Sequence, residues 1–327
     1  SRHVVARALA DLPEAPAADP RPFHSKRHLE FHRYDELALR LDVHRPAGAT
    51  KPGPTLVYVH GGGWVIGHRE RQGLPLMKHL AARGWVCVSV DYRLSPRATF
   101  PDHLVDVKRA LAWVRAHAAE LGADTSFLAI AGNSAGAHLA ALAALTANDP
   151  AYQPGFEDAD THVDACAGFY GIYDFLDRRG HWPHDGMHRL LERHVMKAPR
   201  HAARDAYSAA SPVDRVHPGA PPFLLVHGTH DSLAPVDESR MLFEALRATS
   251  RAPAFYVEVP GAQHAFEIFP SVRTRHVVAG TARFLEWARA ERARSTARPS
   301  VKAPPTTSAD TPARSSAAPS ATRSAPA

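Results

Sequence analysis

Apolar positions along the chain fall into short strand-like runs, separated by longer stretches with the period of a helix. Leu29 to Tyr34 and Leu37 to His44 alternate apolar and polar residues and lie close enough to form a hairpin. After them the two kinds of stretch take turns. Strand-like runs occur at Thr55 to Val59, Trp85 to Tyr92, Phe127 to Gly132, Val163 to Tyr170, Phe223 to Val226 and Ala254 to Val259. Helical stretches occur around Arg71 to Ala82, at Asp102 to Glu120 behind Pro101, at Ala135 to Ala147, near Val236 to Ala248 and at Arg273 to Ala290. Strands that alternate with helices build βαβ units, so the pattern predicts an α/β fold with a mainly parallel central sheet covered on both faces.

Two parts of the chain break this rhythm. From Phe175 to about Gly219 the alternation lapses, and Trp182, Met187, Leu190, Leu191 and Met196 are expected to form a small helical cap over a pocket at the sheet's edge. Residues 1–27 are rich in Pro and Ala and read as an N-terminal extension, with the main domain spanning 28–292. The stretch 293–327 is Ala, Pro, Ser and Thr with almost no large apolar residue. It cannot bury enough surface to offset its ordering entropy and reads as disordered.

Composition narrows the function. The 327 residues are 45% hydrophobic and 22% charged, ordinary for a globular chain with a sizeable core. The net charge of +6 invites a nucleic-acid reading, but six cations and one acid from Arg292 onward carry five of those six charges. The body has no basic excess to hold phosphates, so nucleic acid is excluded as a partner. Cys87 and Cys166 lie in apolar strand-like runs and are expected to be buried free thiols. No apolar stretch is long enough to span a bilayer, and no signal peptide is visible. These features fit the cytoplasm. Membrane association is expected only through sequence upstream of Ser1, whose anchor would place the protein at the cell envelope.

The chemistry is concentrated in four short segments. Gly132-Asn133-Ser134-Ala135-Gly136 falls where an apolar strand meets an Ala/Leu-rich helix. A serine on such a turn needs small neighbours, because backbones pass close on both sides, and the helix N-terminus offers N–H groups to developing negative charge. His60-Gly61-Gly62-Gly63-Trp64 directly follows another strand, and its consecutive glycines let backbone N–H groups approach a substrate oxygen. With the Ala135 N–H they would make an oxyanion hole. Neither GK[ST] nor GxGxxG accompanies them, which argues against a phosphate cradle. Asp231 and His264 each lie just past a late strand, in the order acid then histidine that a triad on this kind of sheet requires.

With these motifs in place, the chain resembles the hormone-sensitive-lipase-like carboxylesterases of the α/β-hydrolase superfamily. The resemblance covers about residues 54–288 and rests on HGGGW at 60–64, DYRLSP at 91–96, GNSAG at 132–136, HGTHDSL at 227–233 and Gln263-His264-Ala265-Phe266. It implies Ser134 as nucleophile, His264 as its base and Asp231 as the orienting acid, with Gly62, Gly63 and Ala135 supplying the oxyanion N–H groups. It also implies short- to medium-chain esters as substrates, and N-terminal residues as part of the cap. Asn133 stands where an acid is common in the family, Ala137 where a further Gly is common, and Arg97 where Glu is common.

Trp64, Tyr170 and Trp182 are expected to contact substrate, with Phe169, Tyr173, Met187 and Met196 as further pocket residues. His60 is expected to play a structural hydrogen-bonding part. His181, His184, Asp185 and His188 have metal-like spacing, but Pro183 and Gly186 interrupt them and the cluster reads as solvated. No metal or organic cofactor is expected, and the expected partner is a small-molecule ester. The alternatives are an amide-directed hydrolase with the same triad and a non-catalytic receptor on the same fold.

Overall fold

The computed structural model describes residues 23–297. The remainder of the N-terminal extension and the tail from residue 298 lie outside the described residues. Eight strands form one sheet in the order β1-β2-β4-β3-β5-β6-β7-β8. They are β1 (Phe23–Tyr34), β2 (Leu37–Pro46), β3 (Gly53–Val59), β4 (Val86–Val90), β5 (Ala123–Asn133), β6 (Ala165–Phe169), β7 (Phe223–Gly228) and β8 (Ala254–Val259). The β1–β2 hairpin is antiparallel, β2 joins β4 antiparallel, and every later pairing is parallel. This is the α/β-hydrolase fold.

The helices are α1 (Leu74–Ala81), α2 (Asp102–Ala116), α3 (Ala118–Leu121), α4 (Ala135–Leu145), α5 (Gly186–Leu190), α6 (Arg204–Ala209), α7 (Asp237–Thr249) and α8 (Val272–Ala297). Successive strand residues point to opposite faces, and this alternation divides the interior in two. Leu56, Tyr58, Cys87, Ala129 and Ala131 pack with Leu76, Met77 and Leu80 of α1 and Val278 and Leu285 of α8. Val57, Val59, Val88, Leu128 and Ile130 pack on the other face with Leu104, Leu111, Leu139 and Leu242 of α2, α4 and α7. Helix α4 is buried at all eleven positions, as its nearly continuous Ala and Leu residues require. Cys87 and Cys166 are free and buried, and burial pushes both thiols up.

Several boundaries differ from those read in the sequence. β1 opens at Phe23, paired with Pro46, ahead of the strand start expected at Leu29. β5 opens at Ala123, since the polar Asp124-Thr125-Ser126 stretch hides its first residues from a hydrophobicity pattern. The helix expected from 102 to 120 is divided at His117, and α8 runs on to Ala297. Among the described residues, no helix is long and apolar enough to cross a membrane.

Candidate active site

The C-terminal ends of β3, β5, β6, β7 and β8 meet along one edge of the sheet, and the chemistry collects there. Ser134 lies between β5 and α4 with φ 52° and ψ −122°, a conformation that L-residues adopt only under constraint. Its N–H donates to the Phe169 carbonyl at 2.8 Å, and its own carbonyl accepts from Ala137 and His138. The flanking glycines are required by close backbone passage. A Cβ on Gly136 would lie 2.1 Å from the Val59 carbonyl oxygen, and one on Gly132 would lie 2.4 Å from that of Gly136.

The structure brings Ser134, His264 and Asp231 into one hydrogen-bonded line. His264 Nε2 is 2.9 Å from Ser134 Oγ, and His264 Nδ1 is 2.7 Å from Asp231 Oδ2. The second oxygen of Asp231 accepts the N–H groups of Leu233 and Ala234 at 2.9 and 2.8 Å. Burial works to raise the Asp231 carboxyl, but hydrogen bonds from His227 and His264 outweigh it and hold the group well below the usual carboxylate range. His227 is fully buried. Its Nε2 faces the Ala234 carbonyl at 2.9 Å and Asp231 Oδ2 at 3.4 Å, while Nδ1 meets the Ser239 hydroxyl. The carbonyl can only accept, which assigns the His227 proton to Nε2.

The glycine loop after β3 lies against the serine. The Gly61 N–H donates to Gln72 Oε1 at 2.7 Å and Asn133 Oδ1 at 3.0 Å, so it is already satisfied. Gly62 has φ 127° and Gly63 φ 58°, and the Gly62 carbonyl accepts from Val65 and Ile66, closing a tight turn. Among the described residues, no protein acceptor takes a hydrogen bond from the N–H of Gly62, Gly63 or Ala135. His60, buried behind them, stacks on Tyr92 at 4.4 Å, and its Nδ1 is 2.8 Å from the Gly61 carbonyl. Burial lowers its imidazole to about 4, so it is a neutral support for the loop.

A cavity of about 450 Å3 opens at the serine, lined by Gly62, Gly63, Tyr170, Ile172, Met187, Leu190 and His264 among others. Five of the expected pocket residues stand away from its wall. Trp64 has φ 61°, and that turn drives its indole into the core, where it donates to His138 Nδ1 at 3.2 Å and packs edge-on against Phe175. Trp182 is also buried, donating to Glu238 Oε1 at 2.7 Å. Both indoles have found hydrogen-bond partners inside the protein, and neither lines the cavity. Phe169, Tyr173 and Met196 are likewise absent from its wall. Tyr170 does line it, with its ring 4.5 Å from that of His264 and its hydroxyl donating to buried Glu267.

The wall also includes Ile66, Gln72, Leu233 and Ile268, which the sequence reading did not single out. For Ile66, Leu233 and Ile268 the one sequence signal is a large aliphatic residue inside a loop that has neither helical nor strand period, and Gln72 carries no such signal. The His181-to-His188 segment does not converge on a point. His184 reaches the cavity, whereas His188 Nε2 lies 3.1 Å from Asp177. His28, Asp42 and Glu70 do bring their ligand atoms within 4.8 Å of one another. Arg69 already stands among them, 3.1 Å from Asp42, 2.6 Å from His28 and 3.4 Å from Glu70, and supplies the positive charge that a metal would bring.

Residues 41–246 match the model of the BD-FAE family. The chain belongs to that family. Curated relatives agree with the resemblance to carboxylesterases seen in the motifs. The chain is 48% identical over 258 residues to the probable carboxylic ester hydrolase LipM of Mycobacterium tuberculosis, covering 79% of this chain and 57% of LipM. It is 45% identical to the esterase LipC of the same organism, covering 79% of this chain and 64% of LipC. The chain thus spans less than two thirds of the length of either relative. A solved thermophilic esterase from the Planctomycetes species Thermogutta terrifontis, with butyrate bound, superposes with a TM-score of 0.65 at 26% identity, covering 87% of this chain and 97% of that one.

Proposed function

We propose that this BD-FAE family member is a serine carboxylic-ester hydrolase that works through an acyl-enzyme. The observation that carries the reading is the continuous Asp231–His264–Ser134 hydrogen-bonded line, with 2.7 and 2.9 Å links, ending on a serine at φ 52°. His264 Nε2 takes the Ser134 proton as Oγ attacks the ester carbonyl, and Asp231 holds the imidazole and stabilises its charged form. The N–H groups of Gly62, Gly63 and Ala135 receive the oxyanion, each donor lowering the barrier by about 3–4 kcal/mol. His264 then protonates the leaving alcohol, and water repeats the sequence on the acyl-enzyme.

Cavity size supports short- to medium-chain acyl groups. About 450 Å3 lies toward the small end of ligand pockets, which run from roughly 300 to 1,000 Å3. The butyrate bound to the Thermogutta terrifontis esterase supports the same range. The test is hydrolysis of p-nitrophenyl esters from acetyl to palmitoyl by the protein and by Ser134→Ala. Turnover should peak at a short or medium chain and disappear in the variant. A folded protein that turns over no ester, or a variant as active as the parent, overturns the reading.

A further inference from the structure

Six large apolar side chains stand exposed among the described residues, and the four most exposed gather at the cavity mouth or beside it. Ile66 is 68% exposed, Leu233 61%, Phe269 72% and Val272 61%. Ile66 and Leu233 are on the cavity wall together with Ile268, the neighbour of Phe269, and Val272 opens α8. Three come from the loops after β3, β7 and β8, which the fold brings to one edge, and Val272 follows Phe269 at the start of α8. Single exposed apolar residues need no explanation, but a cluster around a ligand entrance marks a surface that meets an apolar partner.

The charges in the same loops identify that partner. Across residues 66–72, 229–236 and 266–276, the exposed acidic and basic side chains are Arg71, Arg273 and Arg275, all cations, and on the opposite rim the exposed Asp185 and Arg189 offset each other. The acids there are occupied or buried. Glu70 is held by Arg69, Asp231 by His264, and Glu267 by Tyr170. A second copy of the chain meeting this face about a two-fold axis would set arginines against arginines.

We propose that the cavity face docks on an anionic phospholipid surface. Phe269 and Val272 enter the boundary between headgroups and acyl chains, and Arg71, Arg273 and Arg275 meet the lipid phosphates. Docked in this way, the cavity mouth opens directly onto the lipid phase, with Ile66 and Leu233 at its edge. This is attachment from one side of the membrane and needs no spanning helix.

The test is flotation of the full chain with phosphatidylcholine vesicles, with and without an admixture of phosphatidylglycerol. The chain should float with the anionic vesicles and be released by salt. Phe269→Ser combined with Val272→Ser should weaken binding at least about ten-fold. Hydrolysis of a soluble acetate ester should be unchanged in that variant, since neither residue lines the cavity, and this retained turnover shows that the variant folds. Arg273→Glu with Arg275→Glu should reduce the preference for phosphatidylglycerol below that of the parent chain. The basic tail is the same in every variant, so the difference between variants reads the cavity face alone. No flotation with anionic vesicles, or undiminished flotation of the double serine variant, overturns the proposal. So does a solution dimer that Phe269→Ser dissociates.

Discussion

The Tyr170 hydroxyl donates to the buried carboxyl of Glu267 while its ring lies against His264. The same hydroxyl accepts from Asn133 Nδ2 at 3.2 Å, and Asn133 in turn accepts from Gly61. One carboxyl thereby ties the glycine loop, the serine strand and the histidine loop together. Tyr170→Phe should leave Glu267 and Asn133 each short of a partner, costing about 1–3 kcal/mol in urea unfolding. It should also lower kcat more than it raises KM, as read from initial rates on a soluble ester.

Glu267 also sets a pH dependence of stability. Burial raises its carboxyl to about 7, against an ordinary value of 4.5, and outweighs the hydrogen bond from the Tyr170 hydroxyl. The folded state therefore holds this proton in a range where the unfolded chain has released it. The stabilisation is full below pH 4.5 and is lost as pH rises through about 7. Its ceiling is about 3 kcal/mol. Glu267→Gln should flatten that part of the stability profile, as measured by denaturant midpoints at successive pH values. An unchanged slope would mean that the group does not titrate there.

Asp231→Asn should cut kcat by about 10^4, and it should also lower the thermal midpoint at neutral pH, because the fold favours the ionised carboxyl. The Leu233 and Ala234 N–H groups will hold the amide oxygen, which turns the amide nitrogen toward His264 Nδ1. The imidazole must then carry its proton on Nε2, leaving no lone pair for the Ser134 proton. Stopped-flow rates on an activated ester measure the loss.

Gly136→Ala should fail to fold. Its Cβ would stand 2.1 Å from the Val59 carbonyl oxygen and 2.5 Å from that of His60, and both are backbone atoms that cannot swing aside. The expected cost exceeds about 4 kcal/mol, visible as insolubility or a lost unfolding transition.

Trp64 and Leu190 should separate stability from specificity. Trp64→Phe removes the hydrogen bond to His138, so it should lower the melting temperature and leave the chain-length profile alone. Leu190→Ala enlarges the cavity beside Gly63 and should move the optimum toward longer acyl chains. A p-nitrophenyl ester series on both variants decides between these outcomes.

These residues also mark how far the sequence is legible. The strands, the serine turn and the glycine loop are written in local patterns: short apolar runs, small residues around Ser134, consecutive glycines after β3. Trp64 and Trp182 are not legible in that way. An indole beside a glycine loop suits a pocket or a core equally well, and the decision belongs to His138 and Glu238, 74 and 56 residues away. Glu267 did leave a trace, as a lone acid in the apolar run Ala265-Phe266-Glu267-Ile268-Phe269. Its partners, Tyr170 just past β6 and through it Asn133 of β5, are brought beside the loop after β8 by the fold of the sheet.

That sheet order has a consequence for how activity appears in time. Gly61 meets Asn133 across 72 residues, Asn133 meets Tyr170 across 37, and Ser134 meets His264 across 130. Each of these closures costs loop entropy before any contact repays it; only Asn133–Tyr170 can form within one βαβ unit (β5-α4-β6), and the other two must wait for more distant strands to dock. During refolding from denaturant, helical circular dichroism should therefore return first. Turnover will come back last, in step with the docking of the final parallel strand.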